Sequence, residues 1–153
     1  MVEKKIWGNA TWFLFHTLSY KLKYDNEKNV KELYNIYKNF CSHLPCPLCR
    51  EHANIFLSKV NYHNVKTKEN LIYIMFTFHN EVNKNTNKEI FTMEQHNNLY
   101  VKANTDSIIN YFIKVWTYKG SLGYQGVKHN NFSKQICINN FKSYISKNRN
   151  LFI

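Results

Sequence analysis

The sequence predicts an all-α protein, and three observations support this fold class. Apolar residues recur at spacings of three and four, which place them on one face of a helix, as in Val30, Leu33, Tyr34 and Tyr37. No segment of the sequence shows a convincing two-residue alternation typical of a β-strand. Only 4 Gly and 2 Pro occur among 153 residues, which suits helices joined by short connections within a single domain.

The first three predicted helices follow from apolar spacing and from the two prolines. The first spans about 11–23, and the second spans 27–41. Pro45 prevents the second helix from continuing, and Pro47 suits the first turn of a third helix that runs to about 59. Each of these helices carries an apolar or aromatic stripe that can face a common core.

The later elements are predicted from loop composition and from one capping pattern. Thr92-Met93-Glu94-Gln95 matches a capping box, in which the Thr and Gln side chains bond backbone N–H groups at the helix start. The other predicted elements are a loop over 61–66, a helix over about 67–85, helical residues 111–119, a turn-rich stretch at Gly120, Gly123 and Gly126, and a final short helix over 135–147.

The formal net charge of +11 is concentrated in the C-terminal part of the chain. Residues 107–153 contain seven Lys or Arg and no Asp or Glu, interleaved with aromatic residues. Such a segment fits a solvated lysine-rich surface, which we favour, and it also fits a site for nucleic acid or an acidic partner. No apolar run approaches the ~20 residues of a membrane span, and the N-terminus does not resemble a signal peptide. We therefore expect a cytoplasmic protein with no membrane partner.

The tetrapeptide Cys46-Pro47-Leu48-Cys49 is the strongest chemical motif. Two thiols separated by two residues at a helix N-terminus can close into a disulfide, and the helix dipole there favours the reactive thiolate. The same spacing is also the commonest half of a zinc site. The tetrapeptide alone fits a redox pair and a zinc half-site equally well.

The rest of the chain argues against zinc. Two further ligands would have to come from His43, His52, His79, Cys41 or Cys137. No second CxxC is present, and Cys46, Cys49 and His52 do not have the usual spacing of a zinc finger. A thioredoxin-like protein would need a β-α-β setting, which is not found. We therefore expect a helical dithiol domain without a metal, in which Cys41 and Cys137 form a static bridge, act as a shuttle or remain free thiols.

Two further clusters suggest a site for a planar, polar ligand. Trp12 and His16 are four residues apart and share one helical face. His79, Asn80 and Asn83 lie in an otherwise apolar helix, where polar side chains are costly unless they have partners. A bound ligand with a flat ring and polar groups would supply those partners.

These residues resemble three motifs of the Erv/ALR flavin-linked sulfhydryl oxidases. Residues 8–16 resemble the pattern G-x-x-T-W-x-x-x-H, and residues 44–49 with Phe56 resemble the P-C-x-x-C helix. Residues 79–91 resemble H-N-x-V-N-x-x-L-G-K-x-x-F. The order and intervals agree over roughly 6–104, and the compact layout is most similar to the enzymes of large DNA viruses.

The resemblance implies a four-helix bundle cradling FAD, with a short fifth helix, in a homodimer. It implies an FAD-binding sulfhydryl oxidase domain over 1–106 and leaves 107–153 as a basic, aromatic-rich helical extension packed on the same domain. The implied reaction passes electrons from a dithiol protein through the CxxC to FAD and then to O2, giving H2O2. Cys46 would face incoming thiols and Cys49 would lie nearest the flavin. The implied compartment is the host cytoplasm or the virion.

The resemblance also implies which residues contact the cofactor. The motifs place Gly8, Thr11, Trp12, His16, Cys49, His79, Asn80, Val82, Asn83 and Lys88 at the FAD site. Tyr20, His52 and Tyr100 are placed there by position rather than by motif. The chain departs from the family pattern in two places. Thr86-Asn87 replaces Leu-Gly, although Asn also suits a left-handed cap, and Met93 stands where members often carry a cysteine.

Overall fold

The computed structural model describes residues 3–118 and 127–153, and within these ranges every regular element is a helix. The predicted all-α fold class is therefore confirmed. The helices are α1 (Lys4–Lys21), α2 (Glu27–Cys41), α3 (Pro47–Ser58), α4 (Lys68–Asn85), α5 (Met93–Val101), α6 (Thr105–Trp116) and α7 (Val127–Asn148), with 3-10 turns at Tyr62–Asn64 and Arg149–Leu151.

Local capping signals set the helix ends that the sequence predicts well. α2 has both of its predicted ends, and the Asn26 side chain caps it by accepting from the Asn29 backbone N–H. α4 begins after Thr67 and α5 after Thr92, each with a reciprocal capping box. These interactions are made within one turn, so they can be read from neighbouring residues.

The predicted start of the first helix and the predicted end of the helix over 111–119 were wrong. α1 begins at Lys4 rather than at 11, and burial of Trp7 favours the additional turns although they include Gly8. α6 spans Thr105–Trp116, so residues 111–116 are helical as predicted and the helix ends before the predicted 119. Its start is set by the Asn104 side chain, which accepts from the Ser107 backbone N–H.

The final helix was also predicted wrongly, because α7 is a long helix of 22 residues rather than a short one over 135–147. Its buried side chains, Cys137, Ile138, Phe141 and Tyr144, follow helical spacing. The predicted turn at Gly120, Gly123 and Gly126 lies outside the described residues.

Helix α1 is central and contacts α4, α5 and α6. All of its residues from Leu14 to Tyr20 are buried, as expected for a helix surrounded by others. Polar side chains in this stretch are largely bonded: the Ser19 hydroxyl donates to the Phe15 carbonyl at 2.7 Å, and the Tyr37 hydroxyl donates to the same carbonyl at 2.8 Å.

The C-terminal helices contribute to the same hydrophobic core as the N-terminal ones. Phe40 of α2 packs edge-on against Phe112 at 4.8 Å, Trp116 at 5.2 Å and Phe141 at 5.2 Å between ring centroids. The predicted boundary between 106 and 107 falls inside α6. Several aromatic residues of the basic segment are thus buried in the core, where they cannot stack on nucleotides.

The last residues of the chain pair with the end of α1. The Lys23 backbone N–H donates to the Leu151 carbonyl at 2.7 Å, and the Ile153 N–H donates to the Lys21 carbonyl at 2.7 Å. Between them, the Phe152 side chain is buried. None of the helices in the described ranges combines the length and the apolar character needed to cross a membrane.

Candidate active site

The Cys46–Cys49 pair lies at the start of α3 and is joined in a disulfide, with the two Cα atoms 5.1 Å apart. Cys46 is the N-cap residue in extended conformation, and its Sγ accepts from the Cys49 backbone N–H at 3.2 Å. Pro47 occupies the first turn, as predicted. The Arg50 guanidinium donates to the Leu44 carbonyl, which ties the loop before the disulfide to the helix after it.

The disulfide is accessible on one side and packed on the other. Both cysteines are half-buried and contact the hydrophobic core, whereas Leu48 between them is 59% exposed. A thiol from another protein can therefore approach this end of α3 from solvent. The helix N-terminus next to the sulfurs favours the thiolate that is released when the disulfide is opened.

A continuous set of aromatic contacts connects α3 to the predicted cofactor residues. Phe56 of α3 stacks on Phe78 of α4 at 4.7 Å, and Phe78 meets Trp12 of α1 edge-on at 5.0 Å. Trp12 stacks almost parallel to His79 at 4.2 Å and to His16 at 5.5 Å. Trp12 and His79 are half-buried, so this stacked pair is partly open to a planar ligand, and we call the pair the cofactor wall.

Three histidines from three helices form a hydrogen-bonded row. Nδ1 of His79 lies 2.9 Å from Nε2 of His16, and Nδ1 of His16 lies 2.9 Å from Nε2 of His96. Nδ1 of His96 lies 3.0 Å from the Tyr20 hydroxyl, which donates to Oδ1 of Asn97. We call these five residues the histidine row. It runs from the half-buried His79 through the buried core to Asn97 at the surface.

Burial keeps the histidine row uncharged near neutral pH. It lowers the pKa of His16 well below the usual range, and the neighbouring His96 and His79 add to the effect. Burial also lowers the pKa of His79 to about 3 and that of His96 to about 4. It raises the pKa of Tyr20 to about 12. Each imidazole therefore has one N–H and one lone pair to use in hydrogen bonds.

The C-terminal end of α4 has the left-handed cap that Asn87 suggests. Asn87 has φ 55°, and the Lys88 backbone N–H donates to the Asn83 carbonyl at 2.7 Å while the Asn87 N–H donates to the Lys84 carbonyl at 3.3 Å. This pair of bonds is a Schellman motif, so Asn replaces glycine without loss of the turn. It leaves the Lys88 side chain exposed just beyond the helix.

Asn80 anchors the segment that follows the cap. Its Nδ2 donates to the Phe91 carbonyl at 2.9 Å, and its Oδ1 accepts from the Phe91 N–H at 3.0 Å. The Phe91 ring in turn lies 5.8 Å from the His79 ring. In this structure Asn80 thus holds the chain next to the site through both polar atoms of its amide.

The other predicted site residues differ in their burial and in their contacts. Thr11 is buried, donates to the Trp7 carbonyl at 2.6 Å and accepts from Nε1 of Trp116 at 3.0 Å. Tyr100 is buried and its ring lies 4.6 Å from His16. The remaining ones are the half-buried Gly8 and Val82, the buried Asn83 and the exposed His52.

Sequence reasoning missed His96 and Asn97, which complete the histidine row. The available signal was weak: His96 lies one helical turn before Tyr100 on a short helix opened by the Thr92 capping box. The contacts of Phe78 with both Trp12 and Phe56 could not be predicted from one sequence.

Cys41 and Cys137 are free buried thiols. The sequence left open a static bridge, a shuttle or free thiols, and the structure shows free thiols. Burial raises the pKa of each thiol to about 12. Within residues 3–118 and 127–153, no group of three or more His, Cys, Asp or Glu side chains is arranged to hold a metal ion.

Comparison with known proteins identifies relatives of the chain. The profile of the Erv1 / Alr family matches residues 9–103. A protein named FAD-linked sulfhydryl oxidase from one isolate of African swine fever virus is 36% identical over 100 residues, which are 63% of this chain and 82% of the relative. Its counterpart from a second isolate is 33% identical over 105 residues, 67% of this chain and 86% of the relative.

A protein named probable FAD-linked sulfhydryl oxidase from Fowlpox virus is 31% identical over 77 residues, 50% of this chain and 74% of that protein. No solved structure matches the chain. The family profile covers well over half of the sequence and includes the CxxC, the Trp12 and His16 pair and the His79 segment. The chain therefore belongs to the Erv1 / Alr family.

Proposed function

We infer that this protein is an FAD-dependent sulfhydryl oxidase that forms disulfides in dithiol substrates, with O2 as the final electron acceptor. The observation that carries this inference is the Cys46–Cys49 disulfide at a helix N-terminus, half open to solvent and in contact with the core. This arrangement suits a disulfide that exchanges electrons with thiols on one side and a cofactor on the other.

The residues around the cofactor wall fit FAD. Isoalloxazine and adenine need flat apolar walls, which the parallel Trp12 and His79 rings provide. The ribityl chain and pyrophosphate need hydrogen-bonding groups and cations, for which the exposed Lys88 is available. We propose that these residues hold the cofactor together with Gly8, Thr11, His16, Tyr20, Cys49, His52, Asn80, Val82, Asn83 and Tyr100.

The cysteines act in sequence. A substrate thiolate attacks Sγ of Cys46, a mixed disulfide forms, and Cys49 leaves as a thiolate that the start of α3 stabilises. The second thiolate of the substrate then attacks the substrate sulfur that is bonded to Cys46 in the mixed disulfide. This step releases Cys46 as a thiolate. The substrate is now oxidised and the cysteine pair is reduced by two electrons. Bound FAD supplies the two-electron acceptor that restores the disulfide and delivers the electrons to O2.

The assembly, the division of the chain and the compartment are further proposals. We propose a homodimer that acts in the host cytoplasm or in the virion, with residues 1–106 as the oxidase domain and 107–153 as a basic extension. Support comes from the family match over 9–103 and from the viral relatives. The burial of Phe141 against Phe40 supports an extension that packs on the oxidase domain.

The test combines absorption spectroscopy with cysteine variants. The purified protein should be yellow, and its flavin band should bleach when a dithiol is added without O2. Cys46→Ser and Cys49→Ser should each retain flavin and abolish dithiol-dependent O2 consumption. Cys137→Ala is the matched control, because this thiol is buried and unpaired, and it should keep normal turnover. Near-normal turnover in either active-site variant, or a protein that takes up no FAD, would overturn the proposal.

A further inference from the structure

The histidine row links the cofactor wall to the protein surface through consecutive hydrogen bonds. We propose that Tyr20, His96 and Asn97 are positioning residues that set the tautomers of His16 and His79, so that Nε2 of His79 offers a lone pair at the cofactor wall. This inference concerns residues of the proposed FAD site and in that respect rests on the proposed function.

The direction of the hydrogen bonds is decided at the Asn97 end. The Tyr20 hydroxyl has a single hydrogen, and it is donated to Oδ1 of Asn97, which can only accept. Towards His96 the phenol oxygen must therefore act as an acceptor. Nδ1 of His96, 3.0 Å away, must carry a hydrogen and donate it.

The remaining tautomers follow in turn. A neutral His96 with its hydrogen on Nδ1 has a lone pair on Nε2, which accepts from Nδ1–H of His16 at 2.9 Å. Nε2 of His16 then has the lone pair and accepts from Nδ1–H of His79 at 2.9 Å. All three rings are in the Nδ1–H form, and Nε2 of His79 is left as an acceptor. If Tyr20 donated to His96 instead, every bond would reverse and Nε2 of His79 would be a donor.

The surroundings keep this order intact. His16 is 0% and His96 is 1% exposed, so water cannot replace the bond between these two rings. The rings packed against the row include Tyr100, which lies 4.6 Å from His16 and 4.7 Å from His96, and Phe76, which lies 5.2 Å from His96. At the other end, Trp12 and Phe91 lie 4.2 Å and 5.8 Å from His79. Burial, and after it the charges of His96 and Lys88, lowers the pKa of His79 and so disfavours a second proton there.

The tautomer of His79 determines which ligand atoms can hydrogen-bond at the cofactor wall. Among the described residues, Nε2 of His79 has no hydrogen-bond partner, and the ring is half-buried against Trp12. A lone pair at this position accepts an amino or hydroxyl hydrogen of a bound flavin nucleotide and rejects a carbonyl or phosphate oxygen. The hydrogen bond between Tyr20 and Asn97, at the far end of the histidine row, thus decides whether Nε2 of His79 binds a donor or an acceptor atom of the ligand.

The test reads the tautomers directly, by ¹⁵N–¹H long-range correlation NMR of the histidine side chains in the FAD-loaded protein. His16, His79 and His96 should show the Nδ1–H pattern. Tyr20→Phe keeps the ring but leaves Nδ1–H of His96 without an acceptor, so the row should reverse and place its terminal hydrogen on Nε2 of His79. Tyr24→Phe, an exposed tyrosine after α1, is the matched control and should change nothing.

Asn97 allows a second pair of variants. Because its side chain is exposed, substitutions at this position should leave the protein folded. Asn97→Asp keeps an acceptor for Tyr20 and should preserve the Nδ1–H pattern. Asn97→Leu frees the Tyr20 hydrogen for His96 and should reverse the row. Each reversal should raise the Kd for FAD by about tenfold, as expected when one buried hydrogen bond is lost.

Two outcomes would overturn the inference: an Nε2–H pattern for His16 in the unmodified protein, or unchanged tautomers in both Tyr20→Phe and Asn97→Leu. Either result could occur in a fully active oxidase, so it would leave the proposed function in place. Conversely, a protein that takes up no FAD but shows the expected tautomers without it would refute the proposed function and the role of His79 at the cofactor wall.

Discussion

Acidification should destabilise this protein steeply between about pH 6.5 and pH 4.5, because three histidines are held neutral inside it. In the unfolded chain each histidine has a pKa near 6.5, whereas burial lowers the pKa of His79 to about 3 and of His96 to about 4. The unfolded state therefore binds more protons than the folded state throughout this window. The stabilisation is complete above the unfolded pKa and is lost as the pH falls.

The magnitude follows from proton linkage. Each histidine that is neutral when folded and protonated when unfolded lowers the free energy of unfolding by about 1.4 kcal/mol per pH unit. Three such residues set a ceiling of about 4 kcal/mol per unit, and we expect about 2 to 3 because water reaches the half-buried His79. For a chain of this size the melting temperature should then fall by roughly 5 to 10 °C per pH unit.

The assay is urea unfolding followed by tryptophan fluorescence at several pH values across this window. His96→Gln removes one titrating ring and should reduce the slope by about one third. His63→Gln is the matched control, since His63 is exposed in a 3-10 turn. The hydrogen bond from Arg149 lowers the pKa of Asp106, so the folded-state titration of this carboxylate lies below the window. A flat profile, or an equal slope in His96→Gln, would refute the reasoning.

Three other substitutions test parts of the fold around the site. Asn87→Gly should stabilise the protein by up to about 1 kcal/mol, because glycine adopts the left-handed cap more readily; a loss of stability in urea unfolding would contradict this. Phe141→Ala should lower the free energy of unfolding by about 3 to 5 kcal/mol, whereas a cost below about 1 kcal/mol would show that α7 is not part of the cooperative core. Asn80→Ala removes both bonds to the Phe91 backbone and should cost about 2 kcal/mol and weaken FAD binding in a fluorescence titration; unchanged affinity would exclude Asn80 from organising the site.

Local signals explain why much of the fold was predictable. Asn26 and Thr92 satisfy backbone groups within one helical turn, so the starts of α2 and α5 can be read from a few adjacent residues. The CxxC was predictable for the same reason, since Cys46 and Pro47 form the first turn of their own helix. The left-handed Asn87 likewise depends only on the end of α4.

The histidine row was not predictable because it depends on contacts between distant parts of the chain. His96 reaches His16 only when α5 packs on α1, and 80 residues separate the two in sequence. The early start of α1 has a similar origin, because Trp7 gains its burial from the other helices. Propensity and spacing describe each helix alone, whereas these features arise from packing.

Burial of Cys41 and Cys137 has a consequence for an enzyme that produces peroxide. Peroxide and disulfides react with thiolates, and a thiol whose pKa is about 12 is ionised in only on the order of one molecule in 10⁴ to 10⁵ near neutral pH. Both thiols should therefore react little with the peroxide that the oxidase produces. Alkylation of the native, oxidised protein should consequently label neither residue, which leaves the redox pair as the only cysteines among the described residues that react with substrates.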